Sequence, residues 1–181
     1  MSDSTINPPS ITQWAEEHLR AIFNAVSEDV YDNAFDAFIS KHVHVTVNGR
    51  YLSREHYKRL LRFEKIFDLA AAPAELSFEG VVEAPADEDH PTNAGTVGLL
   101  YKAVVASKDT TSRAPTSDTV HSSLNVVIIQ DNLLVPPPIG YFDPRRVSHL
   151  SEVVVVDQEN PVIMPSLLSS SITTPAVSAH A

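Results

Sequence analysis

The stretch His42-Val43-His44-Val45-Thr46-Val47-Asn48-Gly49-Arg50-Tyr51-Leu52 decides how this chain folds. Valines alternate with polar residues from 42 to 47, the period of two that a half-buried strand requires. Asn48-Gly49 then supplies the two left-handed residues of a type I′ hairpin turn. A strand therefore runs into a tight turn and a short return strand over Arg50–Leu52.

Reading outward from the hairpin, the period changes to about 3.6 on both sides. Ser53 is placed to cap a helix whose inner face is Tyr57, Leu60, Leu61 and Phe67. Before the hairpin, Ser27 caps a helix with Glu28 and Asp29 in its first turn, where carboxylates suit the positive end of the helix dipole. Its buried stripe reads as Val30, Ala34, Ala37 and Phe38, with Tyr31 and Phe35 on a flank. Earlier still, Ser10 and Gln13 fit a capping box. Ile11, Trp14, Ala15, His18, Leu19, Ile22, Phe23 and Val26 follow at helical spacing. After the third helix the chain reads as sheet. Leu76, Phe78, Gly80 and Val82 alternate with polar residues, and Gly95–Ser107 and Val120–Gln130 are long candidate strands. Asp131-Asn132 reads as a turn into Leu133–Val135, interrupted by Pro136-Pro137-Pro138, with Ile139–Phe142 resuming it and Val153–Val156 as a last strand. Residues 1–9 read as a disordered leader, 10–157 as one domain, and 158–181, rich in Ser, Thr and Pro, as a disordered tail.

Composition removes several function classes. The 181 residues hold no Cys, which excludes disulfides, thiolate zinc sites and cysteine nucleophiles. A net charge of -10 argues against binding a phosphate backbone. No apolar run approaches the ~18 residues of a membrane span, and no signal peptide is visible. The expectation is a cytoplasmic protein with neither nucleic-acid nor membrane partners. Arg54, Lys58, Arg59, Arg62 and Lys65 make the third helix basic, but Glu55 and Glu64 interleave, as on a solvated face. His42 and His44 lack a third ligand, so no metal is expected. No P-loop, HExxH or GxSxG occurs.

The order helix, helix, hairpin, helix, then long strands is that of an α+β domain. With Trp14–Val26, Ser27-Glu28-Asp29, the strand–Asn48-Gly49–Ser53 passage and Leu124–Leu134, the chain resembles the NTF2-like superfamily, in its SnoaL-like and ketosteroid-isomerase-like branch. The resemblance spans roughly residues 10–157. It implies a cone, a curved and mostly antiparallel sheet wrapped over three N-terminal helices, with an apolar pocket and commonly a homodimer. It implies no single activity. The isomerase base falls at Thr46, the helix-one tyrosine at Leu19 and the second acid near Asn125. Only Asn125 still offers a hydrogen bond to an oxyanion.

Candidate chemistry centres on His121-Ser122-Ser123-Leu124-Asn125. At period two, His121, Ser123 and Asn125 share one face, a pattern similar to one in a dehydratase of the superfamily. That enzyme's Tyr-Asp pair falls near Ala25-Val26 here and is absent. His44, His121 and Asn125 are the candidate catalytic residues, with the histidines moving protons. Trp14, His18, Tyr31, Thr46, Tyr57 and Ser123 are the candidate pocket residues. The His/Ser/Asn row reads equally as a solvent-facing strand side, and His18 as a core histidine. The leading expectation is a domain that binds a small apolar or aromatic organic molecule. The alternatives are a cofactor-free isomerase, dehydratase or cyclase-like enzyme, and a protein-interaction or dimerisation module on the sheet's outer face.

Overall fold

A computed structural model describes residues 8–64, 74–107, 116–140 and 142–157. The elements are α1 (Ile11–Phe23), α2 (Glu28–Phe38), β1 (Ile39–Val47), β2 (Arg50–Leu52), α3 (Arg54–Glu64), β3 (Glu75–Pro85), β4 (Gly95–Ser107), β5 (Thr116–Gln130) and β6 (Arg145–Asp157). The strands form one sheet in the order β2-β1-β6-β5-β4-β3, with β1 and β6 parallel and all other neighbours antiparallel. The three helices cover one face, as expected of an α+β cone.

The local signals produce these elements directly. Ser10 Oγ accepts from the Gln13 N–H at 3.1 Å, and the Gln13 side chain accepts from the Ser10 N–H at 3.3 Å. Ser27 Oγ caps α2 through the Val30 N–H, and Ser53 Oγ caps α3 through the His56 N–H. Asn48 and Gly49 take φ of 48° and 77°. The Asn48 side chain does more than turn the chain. Its amide donates to the Val154 carbonyl at 3.0 Å and its oxygen accepts from the Val154 N–H at 2.9 Å, so the hairpin corner is bonded to β6. Gly95 is fixed by close approach, since a Cβ there would stand 2.5 Å from the Ala84 carbonyl oxygen and 2.7 Å from Ile11 Cδ1.

The core lies between helices and sheet. Trp14, Leu19, Ile22 and Phe23 of α1, Tyr31, Phe35 and Phe38 of α2, and Tyr57 and Leu61 of α3 are buried against Val45, Val47, Val97, Leu99, Leu124, Val126 and Leu150. Burying a side chain of this size contributes roughly 1.5–3 kcal/mol.

Several expectations are corrected. The α2 stripe is rotated: Tyr31 and Phe35 are fully buried, whereas Val30 is exposed. Val26 is exposed because α1 ends at Phe23. A register shift between Phe78 and Gly80 ends the expected alternation, and Val82 faces solvent. Residues 131–140 form turns and coil, not strand, as three prolines remove ladder donors. The last strand is 13 residues long and begins at Arg145. It lies inside the sheet between β1 and β5. Phe67, most of the leader and the tail from 158 lie outside the described residues. No helix among the described residues is long and apolar enough to cross a membrane.

Candidate functional site

Alternation along β5 and β6 sorts the polar residues onto two faces. On β5, Val120, Ser122, Leu124, Val126 and Ile128 are buried, while His121, Ser123 and Asn125 are exposed. On β6, Leu150, Glu152 and Val154 are buried, while His149, Ser151, Val153 and Val155 are exposed. The same parity on β1 buries Val45 and Val47 and leaves His44 exposed and Thr46 half-buried. The sequence-derived row of His121, Ser123 and Asn125 therefore stands on the outer face, away from the helices. His44 and Thr46 join it there. The expectation that these residues border a hollow between sheet and helices is corrected: a shared strand face is fixed by period two, but which face is inner is fixed by the packing.

On the outer face, strand register aligns side chains across the sheet. Thr46, Ser151, Asn125 and Gly98 form one row, and Val153, Ser123 and Leu100 the next. A Cβ on Gly98 would stand 3.0 Å from Asn125 Oδ1, so the amide lies flat over the glycine. His44 opposes His149 on the parallel neighbour, and their rings stack with centroids 4.9 Å apart. His121 lies beyond, 3.7 Å from Asp157. His44, His121 and Asn125 thus occupy separate places on an open face.

Inside the cone the structure assembles a group that sequence reading missed. Glu152 is 1% exposed. Its Oε1 accepts from Tyr101 Oη at 2.8 Å and Ser122 Oγ at 2.5 Å, and its Oε2 from Tyr57 Oη at 2.9 Å. One member comes from α3 and the rest from three adjacent strands. Burial raises the Glu152 carboxyl above the usual carboxylate range, against the opposing pull of the three hydroxyls. Tyr57 was a candidate pocket residue, while Tyr101, Ser122 and Glu152 were not. A carboxylate at the inward parity of an otherwise apolar strand, Leu150-Ser151-Glu152-Val153-Val154, was the available signal.

Of the other pocket candidates, Trp14 and Tyr31 are buried and His18 is half-buried. Trp14 and His18 rings lie 4.4 Å apart, beside Phe38. Burial lowers the His18 imidazole from 6.5 to about 4, Asp143 opposing and Arg146 and Arg145 adding to the effect. Trp14 Nε1 is buried and has no hydrogen-bond partner among the described residues. Tyr31 Oη donates to the Lys58 carbonyl at 2.5 Å. The basic face of α3 meets acids of α2: Arg54 pairs with Asp36 at 2.8 Å, Lys58 with Asp32 at 3.0 Å, and Arg62 with Glu28. Among the described residues no three His, Asp or Glu side chains gather as metal ligands. Two cavities lined by described residues lie elsewhere. One of about 110 Å³ lies beside Ser40, Asp131, Arg54 and Arg146, and one of about 190 Å³ beside Tyr31, Asp32, Lys58 and Arg62.

No protein-family model matches the chain, and no curated protein matches it. Solved structures do. The CaMKII hub of S. rosetta is similar with a TM-score of 0.50 at 8% identity, over 82% of this chain and 98% of that one. An NTF2-like protein of unknown function in nutrient uptake from Rhodospirillum rubrum aligns at 13% identity and a TM-score of 0.45, over 79% and 97%. A ketosteroid isomerase-like protein from Erwinia carotovora atroseptica aligns at 8% and 0.45, over 83% and 95%. At such identities the likeness concerns the fold alone. The chain has an NTF2-like fold.

Proposed function

We propose that this domain works by pairing with a second copy of itself through the outer face of its sheet. One observation carries the reading: Leu100 and Val153, 46% and 60% exposed, flank Ser123 from the strands on either side of β5, Val155, 56% exposed, follows Val153 on the same face, and Val127 and Ile129 stand exposed on that face beyond the Asn125 row. Apolar groups exposed together mark interaction surfaces. The middle of this face, Thr46, Ser151, Asn125, Ser123 and Gly98, carries no charge, although the chain carries -10. Two such chains repel in general, so an uncharged face is where they approach at least cost. The Asn125 amide offers both donor and acceptor, as a twofold contact of like with like needs. Six strands of 3 to 15 residues, ~3.3 Å per residue and ~4.8 Å apart, give a face of roughly 1,000 Å², against ~800 Å² per partner in stable interfaces. Likeness in fold to a hub domain fits a role in joining chains. Sedimentation equilibrium at pH 8 tests it. The expected mass is twice the 19.8 kDa of one chain, falling to one chain mass in Val153→Asp with an unchanged circular dichroism spectrum. A wild-type chain of single mass at ~100 μM contradicts the reading.

A second reading, a small organic molecule held in the cone, is favoured by the Glu152 cluster alone. An apolar, uncharged molecule entering there would exchange its carbonyl or hydroxyl for a hydrogen bond that Tyr57, Tyr101 or Ser122 makes to Glu152. An isomerase or lyase without cofactor would use the same groups as proton donors. Thermal-shift measurement with 2-naphthol and uncharged aromatic ketones tests it. A binder at 100 times its dissociation constant adds about 2.7 kcal/mol. Stabilisation lost in Glu152→Gln supports the reading, and no stabilisation by any of these probes contradicts it.

A further inference from the structure

We infer that pairing through the sheet's outer face is switched by pH through the stacked His44–His149 pair, an inference that rests on the pairing proposed above. The two rings come from parallel neighbours β1 and β6 and lie 4.9 Å apart at an interplanar angle of 23°. Neutral rings stack well at this distance, whereas two imidazolium ions repel. In a free chain, water screens that repulsion because both side chains are exposed. Covering the face with a second copy removes the water, so the paired state disfavours the charged form.

A hydroxyl holds one ring of the pair in place. Ser148 Oγ donates to the Val127 carbonyl at 3.3 Å and lies 3.1 Å from His149 Nδ1. Nδ1 of His149 is thus engaged by a neighbouring hydroxyl, which leaves Nε2 free to face a second copy. The groups beside the pair on this face supply no compensating carboxylate: Val127 and Thr96 continue its register row, and Tyr51, Thr46 and Ser151 form the next, with the exposed Tyr51 phenol its one ionisable member. Other ionisable groups on these strands lie farther off or face elsewhere. His42 precedes His44 by two residues, and Lys102 opposes His121, which faces Asp157. Arg146 turns its guanidinium to the Asp36 and Asp143 carbonyls. No helix among the described residues covers this face.

The sign follows from linkage. An association that covers neutral imidazoles is favoured where they are uncharged and weakens as falling pH puts charge on them. With both rings of each chain taking up a proton, four per dimer, the dissociation constant is expected to rise about tenfold or more between pH 8.0 and 5.5. Sedimentation equilibrium at both pH values on the full chain reads this directly, with circular dichroism reporting that the fold persists. The double variant His44→Gln/His149→Gln is expected to dimerise equally at both pH values, and His121→Gln to keep the wild-type dependence. A wild-type dimer whose dissociation constant changes less than twofold overturns the switch while leaving the pairing intact. A double variant that retains the tenfold change also overturns it. A wild-type chain monomeric at pH 8.0 overturns pairing and switch together.

Discussion

The two faces of β5 and β6 are made from alternate residues of the same strands, yet polar groups behave differently on each. Inside, Glu152, Ser122, Tyr101 and Tyr57 satisfy one another, because a buried oxygen or hydroxyl without a partner costs about 1–3 kcal/mol. Outside, in the single chain, His44, Ser123 and Asn125 stand in water among exposed valines, where an unpaired polar atom costs little. The inner cluster is a structural commitment that strongly resists substitution. The outer row is a surface whose chemistry is free to serve a partner.

The sharpest way to break this division is to truncate adjacent residues of β5. Leu124→Ala is expected to cost about 2–5 kcal/mol through a core cavity, and Ser123→Ala to stay within about 0.5 kcal/mol, both read from urea unfolding at low protein concentration. Equal costs would erase the distinction between faces. Next in size, Glu152→Ala removes the acceptor that three hydroxyls share and is expected to cost roughly 3 kcal/mol, with Glu152→Gln costing less.

Glu152 also sets a pH dependence. Its folded-state carboxyl is raised, so the unfolded chain loses this proton first, and stability falls as pH rises above the unfolded value near 4.3. Thermal unfolding from pH 4 to 8 is expected to flatten in Glu152→Gln, and an unchanged profile would contradict the assignment. His18 acts in the opposite sense. Its imidazole is held near 4 against 6.5 unfolded, so stability falls as pH drops between those values, by roughly 1–3 kcal/mol. His18→Gln should remove that acid limb. The smallest effects belong to the outer face: His44→Ala and Asn125→Ala are expected to leave folding within about 0.5 kcal/mol.

Much of the fold was legible because its signals are local. Ser10, Ser27 and Ser53 each cap the helix they precede, and Asn48-Gly49 makes the predicted turn. The hairpin corner's bonds to β6 were not legible, since they join residues 106 apart in sequence. Val30 misled because the α2 stripe was read from aliphatic residues, whereas the larger aromatic areas of Tyr31 and Phe35 set the buried side. The site was read on the wrong parity for a similar reason. His121, Ser123 and Asn125 form a conspicuous row, while the Glu152 cluster draws one residue each from α3, β4, β5 and β6. Only packing brings those four together.

Because the chain contains no cysteine, single introduced thiols report the two faces directly. Maleimide labelling of Val153→Cys at nanomolar and at ~100 μM protein tests the central claim that the outer face is covered by a second copy. Labelling at pH 8 is expected to be fast when dilute and strongly slowed when concentrated. Ser122→Cys should react slowly at both concentrations, and Leu133→Cys, exposed in the 131–134 turn, quickly at both. A Val153→Cys thiol that reacts equally fast at the two concentrations would contradict the account.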